Sequence, residues 1–110
     1  MEVLNAVDAL TALAHDSRIA IFRYLLRVGD GGAIVSEIRH ELAIPAATLS
    51  FHLSTLKQAG LLRCHREGRQ LHYRADYDCL GQLLRYLTED CCGGKPETCA
   101  EMLKAAGQSA

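Results

Sequence analysis

The sequence predicts a mainly α chain with a small β-hairpin (α+β), in the order α-α-α-α-β-β-α plus a short C-terminal helix. Three patterns carry that expectation. Leu49, Leu53 and Leu56 recur at helical spacing between Pro45 and about Ala59, which sets them on one side of a helix and Ala47, Phe51, Ser54 and Gln58 on the other. A shorter apolar-periodic segment, about Val35 to Leu42, precedes it across the tight turn Ala43-Ile44-Pro45. Leu62 to Arg66 and Arg69 to Arg74 then flank a turn at Glu67-Gly68, with Cys64, Leu71 and Tyr73 alternating with polar positions as a half-buried hairpin requires. Two short helices, a turn and a hairpin form a winged helix-turn-helix.

Val3 to Ala14 reads as the first helix, with Leu4, Val7, Leu10, Leu13 and Ala14 as its apolar stripe. His15-Asp16-Ser17 interrupts it, and Asp16 or Ser17 is expected to cap the next helix by accepting a free backbone N–H. That second helix runs to about Val28. Its Ile19, Ala20, Ile21, Phe22, Leu25 and Leu26 mark it as the central core helix, and Gly29-Asp30-Gly31-Gly32 stops it. Ser36 is expected to cap the helix that turns Val35, Ile38 and Leu42 inward. Pro45 suits a first helical position, where no N–H is needed, and Gly60 ends that helix. Cys79 to Glu89 forms a further amphipathic helix with Leu80, Leu83, Leu84 and Leu87 on one stripe. Together with the first helix it offers more leucine than a small chain covers, so a homodimer through the first helix and the helix at 79–89 is expected; the competing reading is that both simply cover the small domain. Gly93-Gly94 permits a bend, and Pro96 opens a last helix to about Ala106. Residues 1–90 therefore read as one domain and 91–110 as a cysteine-containing tail.

A chain of 110 residues with 49% apolar content supports one modest core. It contains no apolar run near the roughly 18 residues that cross a bilayer. Met1 to Asn5 lacks the basic start and cleavage site of a signal peptide, so a cytoplasmic protein with no membrane partner is expected. Net charge is −1, but it is unevenly spread: Pro45 to Arg74 carries +4 and the remainder −5. A local basic face is what attracts nucleic acid, while an ordinary solvated hairpin is the alternative. A helix with short outer side chains fits a DNA major groove about 12 Å wide. Ala47, Thr48, Ser50, Phe51 and Ser54 would line its groove side, with Thr48 and Ser50 suited to base edges and Ala47 and Phe51 to thymine methyls. His52 lies on the flank nearer the core, where it either contacts DNA or is satisfied inside. Lys57, Arg63, Arg66 and Arg69 would contact phosphates, with Arg66 or Arg69 in a minor groove as a variant of that reading. No paired catalytic groups point to an enzyme.

Leu13-Ala14-His15-Asp16-Ser17-Arg18, Ser50-Phe51-His52-Leu53-Ser54-Thr55-Leu56, Ala59-Gly60-Leu61-Leu62 and Glu67-Gly68-Arg69 together resemble the ArsR/SmtB repressors, over roughly residues 3 to 90. The resemblance implies a dimeric winged helix that binds double-stranded operator DNA without any cofactor. It also implies release when a metal or metalloid ion binds. Two of the family's ion sites are missing. Ile34-Val35-Ser36 stands where the arsenic type has Cys-Val-Cys, and Tyr77 to Glu89 has no histidine for the zinc type. Cys91, Cys92 and Cys99 instead resemble the arsenic sensors whose cysteines follow the dimerisation helix.

The chemistry of that set is consistent with the resemblance. Thiolate is the softest side-chain ligand, and As(III) and Sb(III) favour three-coordinate pyramidal sulfur sites, whereas a structural Zn²⁺ ordinarily takes four ligands. A redox role by disulfide formation, a response to Cd²⁺, Pb²⁺ or Zn²⁺, and incidental thiols remain as alternatives. An arsenate-reductase arrangement would need an arginine six residues after its cysteine, and Glu97 and Thr98 occupy those positions.

Overall fold

The computed structural model describes residues 1–89, 93 and 95–107. Its elements are α1 (Val3–Leu13), α2 (Asp16–Val28), β1 (Ala33–Ile34), α3 (Val35–Leu42), α4 (Ala46–Gln58), β2 (Leu62–Glu67), β3 (Gln70–Ala75), α5 (Tyr77–Thr88) and α6 (Pro96–Gly107). The expected winged helix-turn-helix is present. Cys91 and Cys92 lie outside the described residues.

α2 is the hub, packing on α1, α3, α4 and β3. Its Ile21, Phe22 and Leu25 share one core with Ile38 of α3 and with Leu49, Leu53 and Leu56 of α4. Burying each such side chain stabilises by about 1.5–3 kcal/mol, so this seam sets how α4 can be rotated. The end of α4 is equally constrained. Leu61 N–H donates to Leu56 O at 3.0 Å and Gly60 N–H to Lys57 O at 3.0 Å, the paired bonds of a Schellman stop. Gly60 supplies the left-handed φ of 86°, and the buried pair Leu56 and Leu61 provides the apolar contact that accompanies the motif.

The sheet has a strand beyond the expected hairpin. β1 pairs antiparallel with β3 (Ala33↔Tyr73, Ile34↔His72), giving the order β1-β3-β2. Because α3 springs directly from this strand, Ile34 occupies the N-cap position and Ser36 does not cap. Glu37 Oε1 accepts from Ile34 N–H at 2.9 Å instead. The hairpin turns one residue later than expected, at Gly68-Arg69, with Glu67 opposite Gln70. Gly68 has φ 63° and stands first in this two-residue loop, as a type II′ turn favours.

α2 likewise starts one position early. His15 is its N-cap; Ser17 N–H donates to Asp16 Oδ1 at 2.7 Å and lies 3.1 Å from His15 Nδ1. α5 begins at Tyr77 because Asp76 caps it, Oδ1 accepting from Cys79 N–H at 2.9 Å. The other carboxylate oxygen of Asp76 accepts from Arg63 Nε at 2.9 Å, and its N–H donates to Leu61 O at 2.9 Å. Tyr77 Oη donates to Leu26 O at 2.7 Å, tying the start of α5 to α2.

α1 meets the core with alanines: Ala6, Ala9 and Ala12 are buried, while Leu4, Val7 and Leu10 of the expected stripe are exposed. On α5 Leu83 is buried and Leu84 and Leu87 are exposed. α6 has no buried residue. Among the described residues no helix is long and apolar enough to cross a membrane.

Gly32 is where this fold tolerates least. Its φ is 69°, and a Cβ there would stand 2.5 Å from the Tyr73 carbonyl oxygen on β3. Gly32→Ala is expected to cost roughly 2 kcal/mol or more, from left-handed strain plus forced strand displacement. Gly31→Ala, which meets nothing within 4 Å, should stay within about 0.5 kcal/mol. Urea denaturation midpoints of the two variants test the difference.

Candidate nucleic-acid interface

With Leu49, Leu53 and Leu56 pinned inward, Ala47, Thr48, Ser50, Phe51 and Ser54 of α4 are all exposed. Phe51 is 65% exposed, an unusual position for a phenyl ring. The helix contains no acidic residue, and Lys57 is exposed in its last turn. Thr55 is turned back on the helix, donating from its hydroxyl to Phe51 O at 3.1 Å. The outer face is thus small, hydroxyl-bearing and uncharged, apart from one aromatic ring and a terminal cation.

The wing adds Arg66 on β2 and Arg69 in the loop, both exposed. Arg63 is exposed but has a partner within the chain. It lies at the root of the wing, and its Nε is committed to Asp76, whose side chain is only 14% exposed. The cause is local: Asp76 must sit at the start of α5 to cap it, and Arg63 opposes Arg74, two residues before Asp76, across the β2–β3 ladder.

Of the two alternatives open for His52, the structure has it on the inner side of the helix. It is 4% exposed, and its ring lies 4.6 Å from that of His15 and 5.9 Å from that of Phe51, centroid to centroid. It follows Phe51 around the helix toward the core side. Its Nδ1 is buried and makes no hydrogen bond among the described residues, as is true of Arg18 Nε. Burial, then the nearby His15 and Arg18, push its imidazole below the ordinary value of 6.5, with Asp16 opposing.

Of the expected ion ligands only Cys99 is described. It is half-buried in the first turn of α6, where its N–H donates to Lys95 O at 3.4 Å. Two other thiols are structural in position. Cys64 is half-buried opposite Tyr73. Cys79 is half-buried at the start of α5, and burial followed by Asp76 and Asp78 pushes its thiol up.

The wing also brings together His65, Glu67 and His72, a set that sequence reasoning passed over. The signal was present: His65 and Glu67 alternate along one strand, and the observed register sets His72 directly opposite His65. Placing the turn one residue early hid that register, because a turn at Glu67-Gly68 sets Gln70, two positions from His72, opposite His65.

Comparison with known proteins agrees with this geometry. A family model described as a helix-turn-helix domain matches residues 13–65. The transcriptional repressor SmtB of Mycobacterium tuberculosis is 38% identical over 74 residues, which is 66% of this chain and 53% of that protein. The arsenic resistance transcriptional regulator ArsR1 of Pseudomonas putida is 32% identical over 73 residues, 66% of this chain and 56% of that protein. The chain thus spans little more than half the length of these two relatives. The homodimeric winged helix-turn-helix DNA-binding domain of a possible ArsR-family transcriptional regulator from Mycobacterium bovis superposes with a TM-score of 0.63 at 24% identity, covering 80% of this chain and 82% of that one.

The buried His52 predicts a pH dependence of stability. Its folded pKa lies below its unfolded value, so between the two the unfolded chain binds more protons. Its contribution is present above about pH 6.5 and is lost as pH falls through the lower, folded pKa. His52→Leu should therefore lose less thermal stability than the parent between about pH 7.5 and 5.5. Melting temperatures across that window check the sign.

Proposed function

For a helix-turn-helix chain whose homologues and structural neighbours are ArsR/SmtB-family transcriptional regulators, DNA-binding proteins and not enzymes, we propose a homodimeric repressor that releases operator DNA when As(III) or Sb(III) binds Cys91, Cys92 and Cys99. The observation that carries the DNA half of this reading is the outer face of α4. It is exposed from Ala47 to Ser54, contains no acidic group, and is flanked by the exposed Arg66 and Arg69 of the wing. Thr48 and Ser50 offer hydroxyls to base edges, and Ala47 and Phe51 offer apolar contact to thymine methyls. Lys57, Arg66 and Arg69 hold phosphates, fixing register rather than reading sequence. Arg63 contributes through its outward guanidinium edge while its Nε stays with Asp76.

The dimer follows from what α1 and α5 leave uncovered. Leu4, Val7 and Leu10 on one and Leu84 and Leu87 on the other are 43–71% exposed. A second copy would bury them and place two α4 helices at half-sites about 34 Å apart.

The inducer half rests on the donor set. Three cysteines within nine residues, Cys91 to Cys99, suit a trivalent thiophilic ion in number and softness. The relative from Pseudomonas putida is named for arsenic resistance. Release requires that the ion prefer the DNA-incompetent form, with a coupling typically of about 1–3 kcal/mol.

Two measurements test these halves separately. Arg69→Ala should weaken operator and random DNA alike and lower the slope of log affinity against log salt by about 1. An unchanged slope removes the wing from the interface. In anaerobic, fully reduced protein, arsenite should displace operator DNA from the parent, and Cys99→Ser should need about tenfold more arsenite or fail to respond. Release that is normal in Cys91→Ser, Cys92→Ser and Cys99→Ser alike refutes the site, and release that needs an oxidant shifts the reading to redox sensing.

A further inference from the structure

The wing carries a cluster that the proposed repressor mechanism does not use. β2 places His65 and Glu67 on one face, and β3 places His72 on the same face directly across from His65. The two imidazoles stack, with centroids 5.1 Å apart and planes 16° from parallel. The Glu67 carboxylate bridges them: one oxygen lies 3.5 Å from His72 Nε2 and the other 3.9 Å from His65 Nε2. One donor atom from each of the three residues falls within 4.8 Å of the other two. Among the described residues this is the only group of three or more such ligands.

We propose that His65, Glu67 and His72 form a divalent transition-metal site on the wing. Two imidazoles and one carboxylate suit Zn²⁺, Co²⁺, Ni²⁺ or Cu²⁺, and not a trivalent thiophilic metalloid. Metal–nitrogen and metal–oxygen bonds of about 2.0–2.2 Å hold tetrahedral ligand atoms roughly 3.3 Å apart. The Glu67–His72 separation of 3.5 Å is already near that value. His65 must tilt inward from its stack on His72, and its side chain is 48% exposed. The fourth position faces solvent and takes water. The β2–β3 ladder does the preorganising, since register alone fixes His65 against His72 whether or not an ion is bound.

The site is chemically separate from the cysteine tail, so the two can be tested apart. In the full chain carrying Cys91→Ser, Cys92→Ser and Cys99→Ser, equilibrium dialysis with Co²⁺ should find one ion per chain. Its absorption should lack a sulfur-to-cobalt charge-transfer band. His65→Ala and His72→Ala should each weaken binding at least about tenfold, and Glu67→Gln should do the same with its shape retained. His40→Ala, an exposed histidine on α3, should leave it unchanged. Circular dichroism of each variant confirms that the hairpin remains folded. Absence of Co²⁺ binding in this background, or equal binding in the His65→Ala/His72→Ala double variant, overturns the site whatever the outcome of the operator and arsenite measurements.

Discussion

The molecule depends on the burial of one leucine seam. Leu49, Leu53 and Leu56 fix the rotation of α4 against α2, and the Schellman stop at Gly60 and Leu61 fixes where it ends. Every exposed position on that helix is then determined. Phe51 cannot turn inward without turning a leucine outward, at a cost of about 1.5–3 kcal/mol for each side chain exposed. The presented surface is in this sense the residue of a packing problem solved on the opposite side.

Much of this was legible from residue order because the relevant signals are local. The α4 face, the Ala43-Ile44-Pro45 turn and the stop at Gly60 each follow from side chains within one or two helical turns. The failures are of another kind. β1 is two residues long, and only its pairing with β3 makes it a strand; nothing in Ala33-Ile34 by itself announces that. The cap of α3 differs from the expected Ser36 for the same reason, since a helix leaving a strand has no turn residue to cap it. His52 was ambiguous because its position lies at the edge between two faces, and neighbours remote in sequence, His15 and Arg18, decide which side it joins. α1 shows a subtler limit. Its Leu4, Val7 and Leu10 look like core, yet the fully buried residues are the alanines where α1 meets α2 and α4, with Leu13 packed against the core at the helix end. For the candidate ion ligands, the sequence offered composition and spacing, and Cys99 alone is placed.

Two donor chemistries of different softness occur on one small chain. Sulfur is concentrated after α5, and imidazole with carboxylate is concentrated on the wing. Soft and borderline ions partition between such sets by ligand type rather than by overall affinity. A chain with both offers two chemically distinct donor sets, one following α5 in sequence and one on the wing that carries Arg66 and Arg69.

Asp76 closes the circuit between those regions. A single carboxylate caps α5 with one oxygen and holds Arg63 at the root of the wing with the other, while its own N–H is tied to Leu61 just past α4. The wing and the helix that carries Leu84 and Leu87 therefore share a pivot. A swing of that helix about its first turn would be passed to Arg63 through the same carboxylate, so the root of the wing and the start of α5 share one anchor.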